Sequence, residues 1–326
     1  MLKFRYNQTL NFMRYAIGVD LGGTCIKYAV IDENGKFHYE GKLPSKANTD
    51  SETVVRQLIL AIEECMEYAS NNKINLLGVG IGTPGIVDET QRTVLGGAEN
   101  INGWINVPLA SLVEFKTSLP TIVHNDANLM GLGEATFGAA RGCSDVIFIT
   151  VGTGIGGAVI IDGKLFCGYK NRGTELGHIP LIFGGDTCSC GSIGCLETYA
   201  STSALVRRFT ERAGSVLLPN NDINGKMVID LYKQGHPMAK DSLEEHWQFL
   251  GQGISAFINI FSPQKVVIGG VISESGDFYI ENLAKSAKKY AIDTCAINTE
   301  IVRATLGNKA GSMGAACLVF NKFPNI

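Results

Sequence analysis

The residues best equipped for chemistry lie within positions 175–197, which read ELGHIPLIFGGDTCSCGSIGCLE. Cys188, Cys190 and Cys195 form a C-x-C-x4-C array with His178 just upstream. Three thiolates and one imidazole complete a tetrahedral zinc shell, and a shell closed in this way keeps no position open for a reacting group. The metal therefore reads as a clamp on the loop. Glu175 and Glu197 are left to face a different partner, one that carries hydroxyl groups. Three buried free thiols and a core histidine form the competing reading, which the close spacing and the intervening Gly191 and Gly194 disfavour.

A second kind of chemistry comes from glycine loops. Residues 15–20 form an apolar run that enters Asp20-Leu21-Gly22-Gly23-Thr24, and a second run at 26–31 ends in Asp32-Glu33-Asn34-Gly35, the pattern of a β-hairpin. The N–H groups of Gly22 and Gly23, with the Thr24 hydroxyl, can ring a phosphate oxygen, and Asp20 would face the accompanying cation. One glycine pair at a turn is ordinarily only a turn. Here the pattern recurs roughly 130 residues later, a spacing that fits a duplicated unit better than a solenoid. The second copy is an apolar run at 146–151, Gly152-Thr153-Gly154-Ile155-Gly156-Gly157, another run at 158–161, then Asp162-Gly163. Two such loops facing each other could grip the two ends of a polyphosphate. A dinucleotide fingerprint fits poorly, because the chain after Gly157 continues as a strand instead of opening a helix.

The remaining segments must position these residues. Apolar spacing predicts a helix over 51–71 with Ser51 as N-cap, and a buried strand over 76–81 leading into Gly82-Thr83-Pro84-Gly85. Within 100–109, Trp104 reads as a surface-loop residue and Asn100 as part of a wall against a sugar ring. A short strand at 121–123 delivers His124-Asn125-Asp126 to an Ala/Gly-rich helix at 127–140. Asp126 is then either a helix cap or a general base. Helices are expected at 198–213 and 241–261, separated by a polar, weaker segment containing Pro219 and Gly225. A strand at 265–268 ends in Gly269-Gly270, suited to backbone contact with an adenosine or to a plain tight turn. A surface helix at 276–290, a strand at 300–304 and a terminal helix at 310–320 complete the reading.

With 326 residues and 45% hydrophobic content the chain can build two cores, and a formal charge of −3 leaves no electrostatic footprint for nucleic acid or an anionic membrane. No apolar run approaches the length of a membrane span, and residues 1–15 lack the apolar centre of a signal peptide, so a cytoplasmic protein is expected. Nine cysteines, an odd number, argue for thiols and a metal site over a disulfide framework. Cys25, Cys65, Cys143, Cys167, Cys295 and Cys317 read as small core or loop residues.

Taken together, the two glycine loops, Asn125-Asp126, the Glu175-Leu176-Gly177-His178 element and the C-x-C-G-x-x-G-C-x-E string from Cys188 to Glu197 resemble the ROK family of sugar kinases and repressors over roughly residues 15–320. The resemblance implies an α/β, two-domain actin/hexokinase-like (ribonuclease H-like) ATPase fold with a cleft between domains. A small domain would comprise 1–124 plus 308–326, with the last helix returning to it, and a large domain 125–307. It further implies that Asp126 takes the proton of a hexose 6-hydroxyl, while Asn125, Glu175, His178 and Glu197 hold other hydroxyls, with Gly85 and Asn100 nearby. ATP with Mg²⁺ would be held by Asp20, Gly22, Gly23, Thr24, Gly152, Thr153, Gly154, Gly156 and Gly157, and by Gly269 and Gly270. Structural Zn²⁺ would sit on His178, Cys188, Cys190 and Cys195, with His178 serving metal and sugar together. Cys25 stands where relatives often carry Lys or another polar residue, a departure that leaves the first loop itself unaltered and touches only its fine contacts. Glucose is the expected hexose, ahead of N-acetylmannosamine, N-acetylglucosamine, fructose and allose. ATP is the expected donor ahead of polyphosphate, and a homodimer the expected assembly. A sugar-responsive regulator is the alternative; such members carry an N-terminal helix-turn-helix, for which a first strand near Tyr15 leaves no room.

Overall fold

The computed structural model describes residues 13–98, 101–214 and 223–323. The first half supplies β1 (Tyr15–Leu21), β2 (Cys25–Asp32), β3 (Phe37–Pro44), α1 (Ser51–Asn71), β4 (Leu76–Thr83), a small ribbon of β5 (Ile86–Val87) and β6 (Val94–Gly96), α2 (Leu109–Thr117) and β7 (Thr121–Asn125). Then follow α3 (Asp126–Phe137), β8 (Val146–Val151), β9 (Ile155–Ile161), β10 (Lys164–Phe166), α4 (Leu196–Ala200), α5 (Thr202–Ala213), α6 (Gly225–Lys233) and α7 (Pro237–Phe261). The chain closes with β11 (Lys265–Gly269), α8 (Asp277–Tyr290), α9 (Asp293–Ala296), β12 (Glu300–Arg303) and α10 (Ala310–Lys322).

These strands form two five-stranded sheets of one topology, β3-β2-β1-β4-β7 and β10-β9-β8-β11-β12. In each, three strands meander antiparallel and two more add in parallel. The duplicated unit expected from the glycine loops is thus present as topology: each loop is the turn between the first two strands of its sheet. This is the actin/hexokinase-like α/β architecture, and parallel strands with covered faces explain the continuous apolar runs LLGVGI and KVVIG.

α10 packs on β1, β4 and α3, not on the second sheet that precedes it. The approach is close enough that a Cβ on Gly18 would collide with the Ser312 carbonyl, and one on Gly80 with the Ala315 carbonyl. The small residues of AGSMGAA at the start of α10 permit this contact. α3 meets α10 and β4 on one side and β8 and β9 on the other, so the helix that begins at Asp126 joins the two sheets.

Glu134 on α3 fixes that junction. Fully buried, its carboxylate accepts from the N–H groups of Ala139 (2.8 Å), Thr305 (2.9 Å) and Leu306 (2.7 Å), the last two in the segment leading to α10. Glu134→Leu leaves three part-buried backbone donors without their acceptor, each costing about 1 kcal/mol. We expect thermal denaturation to record a loss of about 3 kcal/mol or more; a variant melting with the wild type would remove this role.

Several sequence expectations need correction. Asp50, not Ser51, caps α1, its carboxylate accepting from Thr53 N at 2.8 Å. Asn125 caps α3 through Asn128 N at 3.1 Å, so Asp126 is the first helical residue and not the cap. The helix expected over 198–213 is broken at Ser201, which caps α5. The segment read as polar and weak contains α6, a short amphipathic helix capped by Asn224. β3 and α2 were not anticipated. Trp104 is no surface residue: it is 1% exposed in the first core and donates from Nε1 to Thr83 Oγ1 at 3.0 Å. Polar neighbours in sequence hid an indole whose one donor finds a buried hydroxyl.

Candidate active site

A cavity of about 680 Å³ is lined by Pro84, Gly85, Asn125, Glu175, His178 and Glu197, among others. β4 and β7 bring Gly85 and Asn125 to its floor, at the C-terminal ends of parallel strands where α/β sheets receive ligands. Gly85 takes φ +92°, and a Cβ there would strike the Gly96 carbonyl. Its own carbonyl accepts from Asn125 Nδ2 at 3.2 Å. Glu175 enters from the opposite wall, and burial raises its carboxyl while His178 lowers it and Asp126 and Glu197 raise it further. Asp126 is therefore within electrostatic reach of the cavity.

Asp126 reaches the other way as well. Asp20 is buried beside Gly311 at the start of α10, and its carboxyl is raised to about 6 by burial and by Asp126, against the pull of Lys27. Lys27 Nζ lies 3.9 Å from Asp20 Oδ2. Burial raises the Asp126 carboxyl too, opposed by the Ala127 N–H, which donates to Oδ1 at 2.8 Å. Asp126 thus couples electrostatically both to Glu175, which lines the cavity, and to Asp20, at the entry to the first glycine loop.

The two loops differ in detail. In the first, Ser45 N and Oγ engage the carbonyls of Thr24 (3.1 Å) and Gly23 (3.0 Å), while the side of Gly23 and Thr24 facing away stays exposed. In the second, Thr202 N donates to the Gly152 carbonyl at 2.9 Å, and Ile155 N donates to Glu197 Oε2 at 2.8 Å. A Cβ on Gly154 would clash with that carboxylate, whereas one on Gly152 would meet nothing. Thr153 is exposed. Gly156 and Gly157 have another reason to be glycine: both lie within β9, where a Cβ would press on Ala127 and Leu176 respectively.

Beyond the second loop a cavity of about 590 Å³ is lined by Thr202, Asn224, Lys226, Ile229, Val271 and Glu274, with others. Gly269 ends β11; Gly270 follows at φ +88°, its Cβ position blocked by the Val151 carbonyl, and leads the chain into this pocket. Thr202 Oγ1 is buried there without a hydrogen-bond partner. Sequence reading missed these lining residues; the only signal was the glycine pair.

The donors of His178, Cys188, Cys190 and Cys195 all lie within 4.8 Å of one another. Cys190 Sγ is 3.8 Å from Cys195 Sγ, and Cys188 Sγ is 3.6 Å from His178 Nδ1. A zinc tetrahedron with bonds of about 2.3 Å to sulfur has edges of about 3.8 Å, so the set matches the ion. Burial works to raise the Cys188 thiol, yet hydrogen bonds from Cys190, Thr198 and His178 bring it down to about 6. Burial and hydrogen bonds with Cys188 and Cys190 push Cys195 up to about 12. Ionising all three thiols at this spacing would require a cation among them. Asn100, read as a wall of the sugar site, lies outside the described residues.

Comparison with known proteins agrees with this geometry. Residues 16–322 match the model of the ROK family. The chain is 38% identical to a glucokinase of Streptomyces coelicolor, covering 94% of this chain and 98% of that one. It is 34% identical to a xylose repressor of Caldicellulosiruptor bescii, over 94% of this chain and 78% of the repressor. Among solved structures, a ROK family glucokinase from Streptomyces griseus in complex with glucose and AMPPNP superposes with a TM-score of 0.80 at 36% identity, covering 93% of this chain and 98% of that one. The matched span includes both glycine loops, Asn125-Asp126 and the Cys/His cluster, and on that ground the chain belongs to the ROK family.

Proposed function

We propose that this protein transfers the γ-phosphoryl group of ATP to the 6-hydroxyl of a hexose, glucose first, with Asp126 as general base. The observation that supports the reading is one buried carboxyl, Asp126, coupled both to Glu175 in the carboxylate- and imidazole-lined cavity and to Asp20 before the first glycine loop. The glucose and AMPPNP in the Streptomyces griseus relative support the substrate pair. Asn125, Glu175, His178 and Glu197 orient the sugar, with Gly85 shaping the floor. The N–H groups of Gly23 and Gly154, with the hydroxyls of Thr24 and Thr153, hold the phosphates, while Gly22 N and Gly152 N close their own turns on the carbonyls of Cys25 (3.0 Å) and Gly154 (2.9 Å). The orphaned Thr202 hydroxyl and the pocket after Gly270 suit the nucleoside.

An alcohol is a weak nucleophile at neutral pH, and a carboxylate removing its proton as the O–P bond forms contributes about 10²- to 10⁴-fold. Positioning and charge supply the rest. Asp20 is an oxygen donor of the kind Mg²⁺ and its bound water take, and the ion, when bound, neutralises charge on the transferring phosphoryl. At the Cys/His cluster the fit to Zn²⁺ assigns Nδ1 of His178 to the metal, leaving Nε2 to a sugar hydroxyl. The lobes of the machine are 1–124 with 308–326, and 125–307; a cytoplasmic homodimer completes the reading. Among the described residues no helix is long and apolar enough to cross a membrane.

A coupled assay tests this with glucose, N-acetylmannosamine, N-acetylglucosamine, fructose and allose, each with ATP or polyphosphate. We expect the highest kcat/KM for glucose with ATP. The likeness to a xylose repressor makes a sugar-responsive regulator the second reading; sugar binding without turnover of any hexose would establish it and overturn the first.

A further inference from the structure

The loop between β10 and Glu175 has a geometry that the sugar and nucleotide sites do not require. It carries left-handed backbone at Gly168 (φ 69°) and at three side-chain-bearing residues, Lys170 (55°), Asn171 (60°) and Thr174 (68°). Non-glycine residues held there are strained and persist where surrounding contacts fix them. The contacts are present. The loop closes on itself through Gly173 N to the Cys167 carbonyl at 2.7 Å. Asn171 Nδ2 then donates to the carbonyls of Val87 (3.1 Å) and Asp88 (3.4 Å), in the segment that follows the cavity-lining Gly85 and Ile86. Lys170 Nζ pairs with Glu89 at 3.6 Å beside it, and Thr174 Oγ1 donates to Asn128 Oδ1 at 3.2 Å on α3.

The Asn171 side chain also lies against His124, which is 2% exposed, and favours its protonated form in opposition to burial. His124 Nδ1 accepts from the N–H of Asn125 at 2.9 Å, so this neutral imidazole carries its proton on Nε2 and donates from there. Nε2 is also 3.4 Å from Cys167 Sγ. One amide thus contacts the carbonyls after Gly85 and the imidazole that holds the backbone of Asn125, next to Asp126. The same loop delivers Glu175 from the facing wall.

We propose that Asn171 is a positioning residue that latches the Glu175-bearing loop to the Gly85–Asp88 wall and to the β7–α3 junction, and so sets the width of the hexose pocket. It lines neither the cavity that holds Glu175 nor the pocket after Gly270. Its short amide tolerates left-handed backbone and still donates to the Val87 and Asp88 carbonyls, a combination glycine cannot supply.

Asn171→Gly separates positioning from folding, because glycine removes the side-chain bonds and relieves the strained φ together. The expected result is a melting temperature no lower than wild type, a hexose KM raised about tenfold, roughly 1.4 kcal/mol, and an ATP KM within twofold. Asn171→Asp keeps the size and the turn preference but loses the donor, and should match the glycine variant. A hexose KM unchanged in either variant, or an equal rise for ATP, would overturn the latch. The kinetic arm rests on the hexose-kinase reading; hydrogen exchange does not. Faster amide exchange across residues 85–93 in both variants is expected whatever the protein phosphorylates, and unchanged exchange there would overturn the latch on its own.

Discussion

Asp126→Asn should bind hexose as the wild type does and lose phosphoryl transfer by about 10²- to 10⁴-fold, the range a general base contributes. The amide keeps the shape of the first turn of α3 and can still accept from Ala127 N, so the fold is not the variable. What disappears is the capacity to take a proton. Isothermal titration with glucose and a single-turnover measurement with ATP separate binding from chemistry. An Asn variant turning over near the wild-type rate would falsify the assignment.

The same carboxylates give the reaction its pH dependence. Burial raises Asp126, while burial and Asp126 together raise Asp20 to about 6. A raised carboxyl takes up its proton at higher pH, so the competent ionised form is lost earlier on acidification. We expect kcat/KM to hold above neutrality and to fall as pH drops through about 6, whereas unperturbed carboxyls would postpone that fall to about 4. Since kcat/KM reports the free enzyme, saturating Mg·ATP should move the limb in kcat downward by stabilising the ionised pair.

Removing the clamp should be the next largest effect. Purified protein is expected to contain about one zinc per chain, and Cys190→Ser to contain almost none, because a closed four-ligand site loses both charge and geometry with one thiolate. Binding at such sites is folding free energy, on the order of 10 kcal/mol in small peptides and less within a preformed domain. The loss should appear first in the loop itself: His178 Nδ1 no longer anchored beside Cys188, and Ser189 and Cys190, which line the hexose cavity, free to move. Hexose affinity should fall about 10- to 100-fold, the range seen when support around a metal site is removed, with a smaller change in ATP affinity. Elemental analysis is decisive: fully active protein without zinc would remove the metal from the account.

Much of this was legible in sequence because it is local. A C-x-C-x4-C string places three thiols within one short loop whatever surrounds it, and a strand, glycine loop and strand specify a hairpin turn with N–H groups on offer. Repetition of that unit anticipated two sheets of one topology. Nonlocal partners were not legible. Trp104 sits in a loop among polar residues yet is buried, and Thr83 at the end of β4 meets its Nε1. Gly156 and Gly157 read like phosphate binders, but their smallness answers to Ala127 and Leu176. α6 is short and amphipathic, with a buried face that only the neighbouring helices supply.

Residue types and their spacing determined by themselves which groups could ligate a metal, cradle a phosphate and take a proton, since those capacities belong to side chains and short turns. The tertiary structure alone decided which of them act together. Asp126 is the clearest case. Only the packing of α3 between two sheets sets its carboxyl among Asp20 and Glu175, which lie far from it along the chain in opposite directions. Electrostatic coupling depends on distance through space and on burial, and neither is a property of sequence separation.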